Sequence, residues 1–444
     1  MERTQRTSGW GRFPVIETVR RRARCREDLR RAVDRGEPLL PQGNCRSYGD
    51  ACLFSRVLSV LEMNHLLAFD AAAGLVRAEA GVTLDDLLAF AVPRGWFLPV
   101  TPGTKHPTLG GCVAADIHGK NHHRHGSIGA FVDELEMVLA DGSMVRCSRS
   151  ERPDLFAATL GGMGLTGLIY AASLRLLPID SSYLAVHTRR TASLEETCRV
   201  LQETQEEYIY SVAWVDALCS PRQVGRGLVM LGNHTDSGWP AGAERLAVHR
   251  APRIALPEHL APLALNRVTA RLFNLLYYHR QWRDRAEAVV HYDPFFYPLD
   301  AVSHWNRVYG PRGFLQYQYA VPFEGGLELL AETLEVLGRH RPGCSLAVLK
   351  TFGAQEGLLS FPMAGFTLAM DFPVADGRIV ELLRGFTDRV VAAGGRIYLA
   401  KDALMEPSQF GAMYPRLEEF RTVRRRYDPQ ALFRSVQSDR LGLT

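Results

Sequence analysis

Three glycine-bearing loops near the start of the chain constrain its fold more than any other feature. They are PQGNCRSYGD (41–50), PGTKHPTLGGCVAADIHGKNHH (102–123) and LGGMGLTGLI (160–169). Because glycine has no Cβ, backbone N–H groups in such loops can converge on a concave surface that holds phosphate oxygens. None of them is a GxGxxG motif after a strand or a GxxxxGKS/T motif, which disfavours a Rossmann dinucleotide site and a P-loop. Each loop taken alone is also compatible with a simple tight turn.

The segments between these loops predict short strands mixed with helices. We expect strands at 57–63 and 75–82, followed by a helix that Thr83 caps and Gly95 ends. A hairpin is expected over 131–147, where a polar turn separates two strand-like runs. This order indicates an α+β domain, not a strict βαβ alternation.

From about residue 183 the pattern changes, and strand-like stretches recur between helices. This predicts a second domain with an antiparallel sheet covered by helices on one face, for which 444 residues are sufficient. Alternate residues of a strand share a face, so Gln316 and Gln318, or Thr367 and Ala369, are expected to line one wall. The predicted division is a first domain at 1–180, a substrate domain at 181–395 and a segment at 396–444 that completes the first domain.

The amino-acid composition indicates which classes of binding partner and which cell compartment to expect. The net charge is only +4, with 52 basic residues scattered among 48 acidic ones, so no nucleic-acid partner is expected. Eight cysteines without a CxxC pair indicate reduced thiols, and the N-terminus lacks an apolar signal sequence, which together favour the cytoplasm. The apolar and basic segment 260–282 allows two interpretations. A core-facing amphipathic helix is favoured over peripheral contact with a membrane.

The segment DIHGKNHHRHGS (116–127) concentrates four histidines, a lysine and an arginine. A metal site is one interpretation, since His118 and His122 are four residues apart. Gly119 and Gly126 disfavour a regular helix there and no cysteine or carboxylate cluster adds ligands, so no metal is predicted. A solvated basic loop remains an alternative for the three later histidines.

In order along nearly the whole chain, a series of short motifs resembles the vanillyl-alcohol-oxidase or PCMH type of FAD-linked oxidases, and within it the decaprenylphosphoryl-ribose oxidases. The motifs are SGWGR, RSYGD, ADIHGKNHH, GLTGLI, WNRVYGPRGFLQYQ, LSFP, MDFPV, YLAKD, MYPR and VRRRYDP. The resemblance implies an α+β, two-domain PCMH-type FAD-binding fold. It also implies that the glycine-bearing loops wrap FAD. Arg46 stands where the family often has a histidine that tethers the flavin, so FAD is expected to bind without a covalent bond.

The resemblance implies which residues form the site. Lys401 is the main catalytic candidate, either as the base that accepts the hydroxyl proton or as a charge that holds a phosphate or the reduced flavin, with His118, Lys120 and Tyr48 beside it. The cofactor-binding residues implied are Gly43, Asn44, Arg46, Ser47, Tyr48, Gly49, Pro102, Gly103, Thr104, Gly110, Gly111, Ala115, Gly119, Asn121, His122, Gly162, Gly164, Gly167, Ile169 and Tyr398. The substrate-binding residues implied are Phe296, Gln316, Gln318, Lys350, Thr367, Ala369 and Lys401.

The activity implied is oxidation of the C2 hydroxyl of a ribofuranosyl substrate to a ketone, by hydride transfer to flavin N5. A separate NAD(P)H-dependent ketoreductase would complete a ribo-to-arabino epimerisation on a polyprenyl-phosphate carrier. Thr367, Ala369 and Phe296 stand where those oxidases commonly have asparagine, cysteine and tyrosine, so two alternatives stay open. One is the same chemistry on a soluble sugar, nucleoside or glycosylated metabolite, and the other is a flavin-binding subunit without turnover.

Overall fold

The structure is a computed structural model that describes residues 4–218, 225–236, 238–239, 242–250, 254–257, 267–340, 344, 346–374 and 377–443. It has an N-terminal part, a large central sheet with its helices, and a C-terminal segment that contacts both. The sheets are mainly antiparallel and alternate with helices. The predicted α+β class is therefore confirmed.

The N-terminal part is built on two main sheets, with strand orders β1-β2-β4-β3 and β5-β6-β10-β8-β9, the second antiparallel throughout, and a separate antiparallel pair, β11-β7. Its strands are β1 (Thr4–Ser8), β2 (Val15–Arg22), β3 (Leu40–Gln42), β4 (Arg56–Ser59), β5 (Leu66–Asp70), β6 (Leu75–Glu79), β7 (Trp96–Phe97), β8 (Val132–Val138), β9 (Met144–Ser148), β10 (Leu168–Arg175) and β11 (Leu177–Pro178). Its helices are α1 (Arg26–Val33), α2 (Leu84–Ala91), α3 (Leu109–Ala114), α4 (His122–His125) and α5 (Pro153–Thr159).

Local sequence signals in this part are confirmed where the side chain itself makes the contact. Thr83 and Asp86 form a reciprocal capping box at the start of α2, which satisfies backbone N–H groups that the first turn leaves unpaired. Gly95 ends this region in the left-handed conformation, at φ 79°. The strand predicted at 57–63 is shorter than expected, because the N–H of Met63 bonds to the carbonyl of Val60 in a turn.

The central sheet has eight antiparallel strands in the order β16-β12-β14-β13-β19-β20-β18-β21. Its strands are β12 (Tyr183–Thr191), β13 (Tyr210–Val215), β14 (Gly227–His234), β16 (Arg285–His291), β18 (Phe314–Val321), β19 (Ala347–Phe352), β20 (Gly365–Pro373) and β21 (Arg396–Ile397). Two further strands, β15 (Ile254–Ala255) and β17 (Val302–Ser303), pair with each other in a small parallel sheet of their own. The helices are α6 (Leu194–Glu203), α7 (Arg267–His279), α8 (Tyr292–Phe296), α9 (Gly326–His340) and α10 (Gly377–Ala392), then α11 (Pro407–Met413), α12 (Leu417–Tyr427) and α13 (Val436–Arg440).

One face of the central sheet is covered by helices α6, α9 and α10. Leu201, Leu334 and Phe386 of these helices lie in one buried apolar cluster with Leu349 and Leu368 of the strands. The strands predicted from sequence at this position are confirmed, and so is their cover of helices. The opposite face is left to line a cavity.

The C-terminal segment connects the sheet to the N-terminal part. Strand β21 pairs with β18 at the edge of the central sheet. Farther along, the Arg440 guanidinium donates to the carboxylates of Asp50 and Asp402 at 2.8–2.9 Å. The backbone of Leu39 pairs with Phe433. The chain thus returns to the first glycine-bearing loop after leaving the sheet.

Helix α7 agrees only in part with the favoured interpretation of segment 260–282, of which 260–266 lies outside the described residues. Tyr278 packs in a buried apolar cluster with Trp214 and Leu228, so one face of the helix does meet a small core. Leu272 and Leu276 are exposed, at 54% and 62%, and do not face a core. The buried side of α7 is also held by polar contacts, with Asn274 donating to Asp216 at 2.8 Å and the Tyr278 hydroxyl donating to the carbonyl of Thr191. Because these polar groups require partners when buried, they orient the helix with its leucines outward.

Seven of the eight cysteines lie in the described residues and are free thiols, as the spacing predicts, while Cys219 lies outside them. Among the described residues, no helix combines the length and the apolar character needed to span a bilayer.

Candidate active site

A cavity of about 860 Å³ lies between the glycine-bearing loops and the open face of the central sheet. All three loops reach it, and strands β18, β19 and β20 form the facing wall. Segment 398–401, directly after β21, contributes Tyr398 and Lys401. The antiparallel pairing of β18 with β20 places Gln318 opposite Ala369 and Gln316 opposite Asp371, so all four residues face the cavity.

His118 of the second glycine-bearing loop is buried against this wall. Its Nε2 accepts a hydrogen bond from Gln318 Nε2 at 3.1 Å, and its ring lies 4.8 Å from that of Phe352 and 5.0 Å from that of Tyr398. Burial, and then the positive charge of Lys350 and of Lys401, holds the pKa of His118 well below its ordinary value. His118 therefore offers a neutral imidazole and not a cation.

Three lysines converge on the same cavity. Burial and the charge of Lys350 lower the pKa of Lys401 to about 7, an effect that Asp371 opposes. The same two causes lower the pKa of Lys120 to about 7, and burial lowers that of Lys350 to about 8. A lysine with such a pKa has a substantial neutral fraction at pH 7 and can accept a proton there.

Asp371 is a site residue that the sequence analysis missed. It is buried and accepts hydrogen bonds from Gln316 Nε2 at 2.5 Å and from the hydroxyl of Tyr309 at 3.3 Å. Burial raises its pKa to about 6, while Gln316 and then Lys401 lower it. The signal was present, since Asp371 follows Ala369 by two residues on one strand and must share its face.

The loops and the wall together fit an elongated cofactor with phosphates and a polar ring. A Cβ at Gly103 would meet no atom within 4 Å, so the backbone there is open, while a Cβ at Gly43 would meet the Thr108 hydroxyl at 2.3 Å. Among the described residues, Gln318 Oε1 and His118 Nδ1 are buried polar atoms without a hydrogen-bond partner. Such atoms are costly unless a bound group supplies the missing partner.

Comparison with known proteins agrees with this fit. Residues 15–148 match the FAD binding domain family, and residues 366–441 match the D-arabinono-1,4-lactone oxidase family. Decaprenylphosphoryl-β-D-ribose oxidase of Mycolicibacterium smegmatis is 35% identical to this chain over 456 aligned positions, which cover 99% of this chain and 98% of the relative. The chain belongs to this family of FAD-dependent oxidases.

Other members of the wider group match in part. An uncharacterised protein of Streptomyces coelicolor is 33% identical over 82% of this chain and all of its own length. Human Delta(24)-sterol reductase is 29% identical over 44% of this chain and 36% of its own. As a member of the oxidase family, this chain is an FAD-dependent enzyme acting on CH–OH groups, and its fold is of the PCMH type, as the motifs predict.

The cavity of this FAD-dependent oxidase brings together most residues that the motifs imply. Those that line it are Gly43, Asn44, Arg46, Ser47, Tyr48, Pro102, Gly103, Thr104, Gly110, Gly111, Ala115, His118, Gly119, Lys120, Gly164, Gly167, Ile169, Phe296, Gln316, Gln318, Lys350, Ala369, Tyr398 and Lys401. They come from all three parts of the chain. Their assembly at one place depends on the C-terminal return.

Five implied residues lie behind the cavity wall instead. Thr367 accepts from Gln318 Nε2 at 3.0 Å and so orients a lining side chain. Asn121 donates to the carbonyl of Pro99, and His122 contacts Gln355 through Nε2. The remaining two are glycines packed against backbone carbonyls, Gly49 against Asp402 and Gly162 against Ala158.

The positions of His118 and His122 do not support a metal site in segment 116–127. Helix α4 begins at His122, so His118 and His122 are not on successive turns of one helix. His118 points to Gln318 whereas His122 points to Gln355. Within the described part of the chain, no cluster of three or more histidine, cysteine or acidic side chains could hold a metal ion.

Proposed function

We propose that this oxidase converts the C2 hydroxyl of a ribofuranosyl sugar to a ketone, and that the sugar is carried on a polyprenyl phosphate. The proposal is supported by the relative that matches along nearly the whole chain, which is named for decaprenylphosphoryl-β-D-ribose. The ketone would be reduced by a separate NAD(P)H-dependent ketoreductase, which gives net epimerisation from ribo to arabino.

The observation that carries the proposal is the position of Lys401. Its ammonium nitrogen lies 5.5 Å from the ring centre of Tyr48 and 6.0 Å from that of Tyr398, at the junction of all three parts of the chain. Bound FAD supplies the hydride acceptor for alcohol oxidation. The chain must then supply a base for the hydroxyl proton, and neutral Lys401 Nζ accepts that proton.

The other lysines hold the charged part of the substrate. Lys120 Nζ donates to the carbonyl of Phe296 at 3.2 Å, which leaves further N–H donors for an anion. Lys350 projects from β19 into the same cavity. Binding of a phosphate beside them would favour their charged forms, so substrate binding itself raises the pKa of Lys120 and Lys350.

We propose that Gln316 and Gln318 accept hydrogen bonds from sugar hydroxyls or from a flavin N–H group through their unpartnered Oε1 atoms. Each has a buried carboxamide group whose nitrogen is already fixed, by Asp371 for Gln316 and by His118 and Thr367 for Gln318. Their oxygens therefore point toward donors on bound molecules. We also propose that FAD is held without a covalent bond, since Arg46 stands where a histidine would tether the flavin. Its guanidinium lies 4.0 Å from the Trp10 ring centre.

We further propose that the enzyme reaches a lipid-linked substrate through contact of α7 with a membrane. Leu272, Leu275 and Leu276 are exposed on this helix, and Trp282 just beyond it is 73% exposed. The exposed arginines of the same region are Arg271, Arg280, Arg283 and Arg285. An apolar helix face bordered by arginines is typical of helices that lie in the interface of an anionic bilayer.

The position of oxidation can be tested with isotopes. Prenylphosphoryl ribose carrying deuterium at C2 should reduce the bound flavin several times more slowly than the unlabelled compound, measured anaerobically by stopped-flow absorbance. Deuterium at C3 should have no effect. Slowing by C3 deuteration alone would move the reaction to another hydroxyl and contradict the proposal.

A further inference from the structure

The open face of the central sheet changes from polar to apolar across its strands. Strands β18 and β20 present Gln316, Gln318 and Asp371 to the cavity, and β19 presents Lys350. The strands on the other side of the sheet present only one hydroxyl to it. Their lining residues are Val186 and Thr188 of β12, Met230 of β14, Val212 and Trp214 of β13, and Ala288 and Val290 of β16.

The polar and apolar halves form one continuous surface. Cross-strand pairing runs from Gln318 to Ala369, from Ala369 to Val348, and from Val348 to Trp214. A second row continues from Val212 through Met230. A molecule bound at Lys401 and Gln318 therefore meets apolar side chains directly along the same wall.

The apolar half lacks full cover by the rest of the protein. Val348 and Met230 remain partly accessible, whereas their chain neighbours Leu349 and Leu231 are fully buried on the opposite face. This alternation is the pattern of a strand with a packed face and an open face. Apolar side chains that line a cavity without being packed are typical of a ligand site for an apolar molecule.

Helix α7 borders the far end of this half. Tyr277 packs against Trp214 with ring centres 4.8 Å apart, and Phe273 stacks on Tyr277 at 5.6 Å. Both aromatic residues of α7 also line the cavity, and Phe273 is 53% exposed. The apolar half thus extends from the lysines to the surface beside the exposed leucines of α7.

We propose that this apolar half is a binding subsite for the first isoprene units of the carrier chain. We call it the chain subsite, and it comprises Val186, Thr188, Val212, Trp214, Met230, Ala288, Val290, Leu346, Val348, Phe273 and Tyr277. The inference rests on the proposed function, because the phosphate must sit at the lysines for the chain to start there. The polar groups among these lining residues are the Thr188 hydroxyl, the Tyr277 hydroxyl and the Trp214 indole N–H, and Arg280 lies at the outer end. A hydrocarbon chain therefore fits this wall better than a second sugar or a base, which would need many more hydrogen-bonding partners.

The test compares substrates that share the phosphoryl-ribose head and differ in chain length, with one, two or four isoprene units. Dissociation constants come from anaerobic titration of the chemically reduced holoenzyme followed by protein fluorescence, because the reduced flavin cannot accept a hydride from the substrate. The wild-type enzyme should bind more tightly as units are added. The double variant Val348→Thr, Met230→Gln adds polar groups at nearly constant volume, and should lose about tenfold in affinity for the longest chain but little for the shortest.

Thr188→Val is the matched control, because it changes the same wall in the opposite direction. It should bind the longest chain at least as tightly as wild type. FAD content and circular dichroism establish that each variant is folded. Two results would overturn the chain subsite. One is an equal loss of affinity for the longest chain in Thr188→Val and in the double variant, and the other is a wild-type affinity that does not depend on chain length. If the short-chain riboside still reduced the flavin, the proposed function would stand while the subsite failed.

Discussion

At the scale of single residues, Lys401 carries the most specific expectation. Lys401→Met keeps an apolar stem of similar length but removes the nitrogen that accepts the proton. Flavin content should be unchanged, while the rate of flavin reduction by substrate should fall by about 100- to 10,000-fold. Tyr48→Phe should lower this rate less, because burial raises the pKa of the Tyr48 hydroxyl, which therefore stays protonated and cannot act as the base. Single-turnover stopped-flow measurements check both, and an active Lys401→Met would contradict the base assignment.

The pH dependence of reduction follows from the charges around Lys401. A base must be unprotonated, so the rate should rise with pH around an apparent pKa near 7. Lys350→Met removes a like charge and should move this apparent pKa upward. Asp371→Asn removes an opposite charge and should move it downward. Shifts in the same direction for both variants would show that the titrating group is not Lys401.

Sequence reasoning at this scale depended on the motifs and not on composition. A lone lysine or glutamine carries no signal of function, and Lys401 and Gln318 stood out only within YLAKD and GFLQYQ. For Thr367, strand periodicity alone was not sufficient. Strand periodicity placed it on the face of Ala369, but its hydroxyl donates to the carbonyl of Tyr319 at 2.8 Å and accepts from Gln318. The sequence could not show that it lies behind the lining side chain.

At the scale of elements, two glycines of the loops predict opposite outcomes. A Cβ at Gly49 would lie 1.8 Å from the Asp402 carbonyl oxygen, so Gly49→Ala should separate the first loop from the C-terminal segment and lower thermal stability. Gly103→Ala meets no protein atom within 4 Å and should fold normally, yet bind FAD more weakly if the cofactor approaches this backbone. Thermal melts of the apoproteins and FAD titration separate the two effects.

Helix α7 provides a test of the membrane contact. Replacing both Leu275 and Leu276 with asparagine removes apolar surface that no core uses, so the fold and the reduction of the flavin by a short-chain prenylphosphoryl ribose should be preserved. Sedimentation with anionic phospholipid vesicles should decrease severalfold. Wild-type protein that binds neutral and anionic vesicles equally, or not at all, would contradict a contact that depends on the arginines.

The orientation of α7 shows what element-level prediction cannot supply. The helix is amphipathic in sequence, and such a stripe usually faces a core. Here the buried side is set by Asn274 and Tyr278, which contact residues far away in sequence. The cap of α2 was predictable by contrast, because Thr83 and Asp86 are three residues apart.

At the scale of the whole molecule, the site depends on the return of the C-terminal segment. Arg440 joins Asp50 beside the first loop to Asp402 beside Lys401, and its interactions with both carboxylates raise its pKa. Arg440→Met would leave two buried carboxylates without their cation, which typically costs about 3–5 kcal/mol. Urea denaturation should show this loss, and Arg425→Met at an exposed position of α12 should have little effect.

The strands of the central sheet could be predicted from their apolar runs, while the division of the chain at residues 180 and 395 stays a prediction. The order of those strands could not, since β18 and β20 lie between β19 and β21 through contacts distant in sequence. For the same reason the sequence did not predict the chain subsite, which combines side chains of strands β12, β13, β14 and β16 with helix α7.

The central claim is that this site oxidises a ribofuranosyl sugar linked to a polyprenyl phosphate. The most direct measurement is anaerobic bleaching of the flavin absorbance of the purified holoenzyme by prenylphosphoryl ribose, beside free ribosides and nucleosides at equal concentration. We predict rapid bleaching by the lipid-linked sugar and little by the soluble compounds. Bleaching by a soluble riboside or nucleoside alone would contradict the account and assign the enzyme to small-metabolite oxidation.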